Sequence, residues 1–322
     1  MLINRLQALF HPEQYHGWGR TRRFFEGWYF KVVNREEDQA FAFIPGIAMN
    51  EKGERHAFVQ VLDGKKLTSE YHSFPVEEFR PDPGKFDIQI GGNRFNNEII
   101  RLDLPGIHGE LSFRTQVPWP DRWYSPGIMG PFAFVPFMEC YHGVLSMHHT
   151  VEGTLKIHDQ VMDFTSGLGY MEKDWGHSFP SAYIWMQTNH FNQPNISLKV
   201  SVAKIPWLGA SFTGFIAGFW WNNRFFTFTT YNGSRLIKVG ADKEKVELVM
   251  ENRSFRIEIQ ASRKDATALA SPIAGFMDGR IAESMTSTLE LRLTDVKTGE
   301  VLLNDKGRNV ALEVAGKIEE IL

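Results

Sequence analysis

The chain is short of cysteine: Cys140 is the only one in 322 residues. That excludes an internal disulfide framework and any multi-cysteine zinc or iron–sulfur site, and it suits a reducing compartment. Surplus charge is missing as well. Lys and Arg number 35 against 38 Asp and Glu, a net charge of −3, so there is no basic face to neutralise phosphates, and nucleic acid is excluded as a partner. The segment Met1–Gly19 has too short an apolar run for a secretory signal and no small-residue cleavage site. Two uncharged stretches, Trp123–Met138 and Ile205–Asn223, are broken by proline or glycine, which removes them as membrane helices. A cytoplasmic protein is expected, with peripheral contact with lipid left open. P-loop, Gly-x-Gly-x-x-Gly and Gly-x-Ser-x-Gly motifs are absent too, along with the nucleotide, dinucleotide and hydrolase chemistries they serve.

What is abundant is aromatic: Phe 26, Trp 9 and Tyr 8, or 13% of the chain. Alternation of period two, bounded by turn residues, predicts strands almost throughout. In the first half these are Gly27–Val33, Phe41–Ile47, His56–Leu62, Phe86–Ile90, Ile99–Leu104, Glu110–Gln116 and His149–Ile157. The second half adds Ala182–Gln187, Ile196–Ala203, Phe225–Tyr231, Val246–Met250, Phe255–Ala261, Thr288–Leu293 and Val310–Val314. Asp63-Gly64 and Asn232-Gly233 are hairpin turns. Short helices are expected only over 2–10 and 316–322. The class is all-β.

A faint internal echo suggests two modules. Phe86–Phe95 reads like Val246–Phe255, and Ser146-Met147 precedes a strand as Ser284-Met285 does. The expected division is 1–165 and 166–322, joined near 165–182. Sheets of this many strands must close or pack to cover their edges. An aromatic-rich barrel either encloses an apolar ligand or fills itself with its own rings.

Four blocks combine Trp, Gly and charge in a way a core does not require: Thr21–Lys31, Gly130–His142, Tyr170–His177 with Phe179-Pro180, and Gly218–Arg224. On these blocks, above all Arg22-Arg-Phe-Phe-Glu-Gly-Trp-Tyr-Phe-Lys31, Phe134-Val-Pro-Phe-Met-Glu-Cys140 and Glu172-Lys-Asp-Trp-Gly176, the chain resembles tocopherol cyclase and its bacterial relatives from about residue 15 to about 316. The resemblance implies two lipocalin-like (calycin) antiparallel β modules packed together. It also implies closure of a prenylated benzoquinol to a chromanol, redox-neutrally and without a cofactor. A sibling isoprenoid hydratase, or a lipocalin-like carrier of an apolar molecule, stays open.

Chromanol closure protonates an alkene and captures the cation with a hydroxyl. It needs an acid in a dry pocket, whose pKa burial raises, and aromatic faces that stabilise a desolvated cation by ~2 kcal/mol each. Four carboxyls sit among aromatics: Glu172 and Asp174, the leading acid candidates, then Glu26 and Glu139. A buried Glu beside Arg22, Arg23 or Lys173 equally reads as an ion pair that fastens a barrel end. Candidate substrate-binding residues are Trp28, Tyr29, Phe137 and Tyr141, then His142, Trp175 and His177, and finally Trp185 and Trp220. No metal is expected: the histidines, His142, His148, His149, His177 and His190, include no His-x-x-x-His pair, and adjacent His148 and His149 alternate faces on a strand. Cys140 reads as buried rather than nucleophilic. Trp123–Met138 reads as a lid or cavity wall, with a lipid-facing entry flap as the sharper form.

Overall fold

Period-two patterning is realised on a large scale. The computed structural model, which describes residues 10–321, is nearly all strand. In the first sheet the strands are β1 (Phe24–Val33), β2 (Ala40–Met49), β3 (Arg55–Asp63), β4 (Thr68–Pro75), β5 (Phe79–Pro81), β6 (Asp87–Ile90), β7 (Asn93–Asn96), β8 (Ile99–Leu104), β9 (Ile107–Val117), β10 (Cys140–Ile157), β11 (Gln160–Asp163) and β12 (Gly167–Gly176). Their order is β4-β3-β2-β1-β12-β10-β9-β8-β7-β6-β5, with β11 on β10. The two outermost strands are joined in the chain by the single turn Val76–Glu78, so the sheet curls into a nearly closed barrel.

The second sheet holds β13 (Ala182–Thr188), β14 (His190–Phe191), β15 (Ile196–Trp207), β16 (Ala210–Trp221), β17 (Arg224–Thr229), β18 (Arg235–Ala241), β19 (Lys245–Glu251), β20 (Phe255–Ser262), β21 (Thr267–Ile273), β22 (Phe276–Asp295) and β23 (Val301–Gly316). Its order is β17-β16-β15-β13-β23-β22-β20-β19-β18. Both sheets are therefore meanders in which the first strand pairs with the last. One sequence echo fits this plan. β10 at Ser146 and β22 at Ser284 occupy equivalent places, and each carries a β-bulge there. The other echo does not: β6–β7 lies farther from β10 than β19–β20 does from β22.

The chain forms two compact units, Met1–Phe179 with Leu269–Arg280, and Pro180–Ala268 with Ile281–Leu322. A cut at 165/166 would separate β12 from β1 and β10, to which it is hydrogen-bonded. Leu269–Arg280 belongs to the first unit through specific contacts. The Gln60 side chain donates to Ala270 O and accepts from Ala270 N at 2.8 Å. Met49 N donates to Gly275 O at 2.8 Å, and Gly275 N to His177 O. Gly275 sits at φ +88°, and a Cβ there would come within 2.2 Å of Phe24 N. Only glycine fits this contact.

Rings fill the first barrel. Trp28 stacks on Phe86 at 5.8 Å, and Phe30 on Phe113 at 6.0 Å. Both Trp28 and Phe30 are fully buried among Phe43, Phe95 and Phe164. Burial of each such side chain is worth ~1.5–3 kcal/mol. These aromatics are core, and the barrel centre is not the cavity that the aromatic inventory suggested. In the second unit Phe219, Phe226 and Phe228 pack with Leu248, Ile257 and Leu291.

The helix expected over 316–322 is only one 3₁₀ turn, Ile318–Glu320; that over 2–10 lies outside the described residues. Ile205–Asn223 is the β15–β16 hairpin. Among the described residues no helix is long and apolar enough to cross a membrane.

Candidate active site

β12 organises the site because its side chains alternate between two faces. Tyr170, Glu172 and Asp174 lie on one face; Met171, Lys173 and Trp175 lie on the other. Antiparallel pairing then fixes their neighbours, since directly opposed residues share a face and diagonal ones come within reach of long side chains. β1 sets Trp28 opposite Lys173 and Glu26 opposite Trp175. β10 sets His142 opposite Asp174 and Val144 opposite Glu172.

The Lys173 face is a closed, dry ion pair. Glu26 and Lys173 are both fully buried and in direct contact. Glu26 also accepts from His16 N at 2.9 Å and Gly17 N at 3.1 Å. Lys173 donates to Gln14 O and lies 2.7 Å from His16 Nδ1, with its ammonium over the Trp28 and Trp175 rings at 4.7 and 4.8 Å. Burial alone would raise the Glu26 carboxyl, but the Lys173 charge and the His16 contacts hold it below the ordinary carboxylate range. Burial pulls Lys173 down to about 8 against the pull of Glu26. Together with Trp28 Nε1, which donates to Glu13 O at 2.9 Å, the pair straps Glu13–Gly17 across the end of the barrel.

The Glu172 face is different. His142 Nδ1 lies 2.6 Å from Asp174 Oδ1, and its Nε2 lies 3.3 Å from Glu172 Oε2. Tyr170 donates to Glu172 Oε2 at 2.5 Å, and burial, then the Glu172 charge, keeps that phenol protonated. Glu172 is almost inaccessible, with 5% of its side chain exposed, whereas Asp174 keeps 25%. Tyr29 sits directly across from Glu172 on β1. Cys140 Sγ is 3.9 Å from Asp174 Oδ1. Burial and then the neighbouring carboxylates push its thiol up, which makes it a poor nucleophile.

His142, Glu172 and Asp174 bring one donor atom each within 4.8 Å of one another, a spacing that suits a metal ion. Residue spacing along the chain does not reveal this, because the trio comes from adjacent strands rather than from one helix. The same three groups also lie within reach of one another's polar atoms.

A cleft of ≈ 490 Å³ opens beside them. His142, Trp175, Tyr141 and His177 line it, and so does the Trp123–Met138 stretch, which contributes Phe134, Phe137 and Met138. That stretch is a cavity wall, as expected, with a 3₁₀ turn at Gly130–Phe134. Trp175 is stacked on His16 at 4.1 Å and on Tyr141 at 5.5 Å. Tyr141 is held by a bond from its hydroxyl to Val135 O. Gly143 admits Pro12 to the same wall, since a Cβ would come within 2.9 Å of it.

The structure thus gathers Phe137, Tyr141, His142, Trp175 and His177 at one cleft, with Glu172 and Asp174 behind His142. It does not bring Glu26 and Trp28 there, because their side chains are taken by Lys173 and the core. Glu139 is half-buried beside the cleft, and desolvation raises its carboxyl. Trp185 and Trp220 belong to the second unit, where Trp185 pairs across from Glu313 and Trp220 from Ser197. Three contributors that sequence reasoning missed are His16, Arg20 and Tyr170. Only Tyr170 stands in a recognised block, two residues before Glu172.

A nearly closed antiparallel barrel with a His–Glu–Asp cluster beside an aromatic cleft describes a lipocalin-like fold. The tocopherol cyclase-like family model matches residues 108–316, and the chain belongs to that family. It is 25% identical to the chloroplastic tocopherol cyclase of Zea mays over 94% of this chain and 77% of that protein. Among solved structures it resembles CghA in complex with Sch210972 (TM-score 0.58, 10% identity, 92% of this chain and 89% of that one). It also resembles a putative AttH from Nitrosomonas europaea (TM-score 0.52, 12% identity, 91% and 92%). These two likenesses concern the fold.

Proposed function

We propose that the chain is a cofactor-free cyclase that closes a prenylated benzoquinol, or a related isoprenoid phenol, to a chromanol. The observation that carries this reading is His142: it lines the aromatic cleft and is bracketed by two carboxylates, one nearly inaccessible and one partly open. The family relationship supports the same chemistry.

A proton shared along Glu172–His142–Asp174 is delivered to the less substituted alkene carbon. The tertiary cation that results is shielded from water by Trp175, Tyr141 and Phe134, whose faces favour positive charge. The phenolic oxygen attacks the cation, forming the C–O bond, and the hydroxyl proton returns to the trio. Product and substrate are isomers, and nothing is oxidised. Tyr170 is a positioning residue: its hydroxyl fixes Glu172 against His142. Holding the chain end against the hydroxyl replaces entropy otherwise lost on ring closure.

Incubation of the purified protein with a prenylated benzoquinol tests this. A product of unchanged mass and chromanol absorbance is expected, and chelator should leave its rate unchanged. Tight binding without turnover would make the chain a carrier, and a product heavier by one water would make it a hydratase.

A further inference from the structure

The cleft is not electrically neutral. Arg20, Arg23, His16, His142 and His177 line it, and no Asp or Glu does. Among the described residues no carboxylate pairs with Arg20, whose guanidinium lies 5.8 Å from the ring centre of Phe24, another wall residue. Arg23 has only a solvent-exposed partner, Glu51, at 3.4 Å. Beside them the Nδ1 of His177 is inaccessible and has no hydrogen-bond partner among the described residues. Burial first, then the charges of Arg23 and Arg20, lowers the pKa of this imidazole, so the ring sits within the field of both guanidinium groups. Next to this basic corner stand the apolar Phe24, Phe134, Phe137 and Met138. Arg20 and Arg23 are both solvent-exposed, so they set positive charge at the mouth of the cleft, beside its apolar wall.

We infer that the cleft takes an amphiphile with an anionic group, its apolar body against Phe134, Phe137 and Met138 and its anion at Arg20 and Arg23. A carboxylate is the chemical class that fits best, because a guanidinium fork meets it with two parallel hydrogen bonds. Such a group orients the ligand end to end, as an uncharged prenyl chain cannot. The inference rests on the cleft being the substrate site of the proposed cyclase. It adds that the natural substrate, or a ligand competing for its place, carries an acid.

The experiment compares two probes of equal length, oleate and oleyl alcohol, below their aggregation limits. Binding to the full chain is followed by tryptophan fluorescence and by displacement of a prenylated benzoquinol. Oleate is expected to bind about 10-fold more tightly than the alcohol at low salt, as suits charge-assisted bonds at a partly exposed site. This preference should shrink at high salt and vanish in the Arg20→Gln, Arg23→Gln double variant. Equal affinity for the two probes in the natural sequence overturns the anionic end and leaves the cleft intact. A preference that survives the double variant also overturns it. If neither probe displaces the benzoquinol, the cleft is not the substrate site and the cyclase geometry fails with it. Vesicles with and without phosphatidylglycerol separate a free acid from a lipid headgroup. Capture by anionic vesicles with no free oleate bound would place the anion on a membrane surface and overturn the inference of a ligand held within the cleft.

Discussion

Two faces of one strand carry acid and base groups to opposite ends. On the inner face of β12, Glu26 and Lys173 form a pair that His16 joins, with every oxygen and proton engaged, beside Trp175. On the outer face Glu172, His142 and Asp174 have the same kinds of group, but one carboxylate stays partly open and the imidazole reaches a cleft. What separates structure from chemistry here is not residue type but how completely the partners saturate one another. Neither Glu26 nor Lys173 reaches the cleft; the bracketed imidazole does.

That contrast can be broken in order of effect. Glu172→Gln, or His142→Asn, should reduce cyclisation by ~10²–10⁴-fold, the range for loss of a positioned proton-transfer group. Melting temperature should change little, and turnover of a prenylated benzoquinol is the readout. If Glu172→Gln and Asp174→Asn both left the rate intact, the outer trio would not be the proton source.

On the inner face Glu26→Gln should act on stability instead. It leaves the buried Lys173 without its counter-charge, at a cost of about 3–5 kcal/mol, while adding Lys173→Met should restore most of the loss. Urea unfolding of the single and double variants measures both. A single variant as stable as the parent would show that the strap is held by something other than the pair.

A third comparison sets His142, between two carboxylates, against His149 on the same strand, which has Ser146 Oγ at 3.0 Å and the Phe113 ring at 4.7 Å. Burial, and then its neighbour His148, pushes His149 down to about 3. The unfolded chain takes up this proton near the ordinary value of 6.5 and the folded chain does not. Stability should therefore fall as pH drops below 6.5, by roughly 1.5–2 kcal/mol at pH 5. Thermal melts of the parent and of His149→Gln across that window check the slope, and equal slopes would assign it elsewhere. The smallest effect expected is that of Tyr170→Phe. Removing one bond to Glu172, worth ~1.5–3 kcal/mol when the acceptor is charged, should slow turnover about ten-fold and leave binding unchanged. A shift in KM alone would contradict a positioning role.

Much of this was legible in residues. Alternation gave many of the strands but not β12: residues 165–182 read as the join between two modules, so nothing placed Glu172 and Asp174 on one face of a strand and Lys173 and Trp175 on the other. Lys173 was nonetheless among the named partners for a buried Glu. What alternation does not encode is register: nothing in the sequence says that His142 falls opposite Asp174 rather than one residue away, which would turn it to the other face. The aromatic count likewise could not separate Trp28, packed on Phe86, from Trp175 at the cleft, because both stand in Gly- and charge-rich blocks. The strap from Glu13 to Gly17 escaped notice because it has no regular structure and acts through backbone groups.

Gly275 carries a consequence for how the chain is made. Its carbonyl and amide complete hydrogen bonds of Met49 and His177, at the edge of the barrel beside the cleft. A ribosome therefore finishes all twelve strands of the first sheet well before it supplies the hairpin that caps them. Until that hairpin emerges, the nascent barrel keeps an unpaired amide at Met49 and an unmet Gln60 side chain, the kind of open edge that recruits chaperones or stray strands. Genetic truncation after β12 would preserve that immature state, so the order of synthesis ties the assembly of the cleft to translation of the far half of the message.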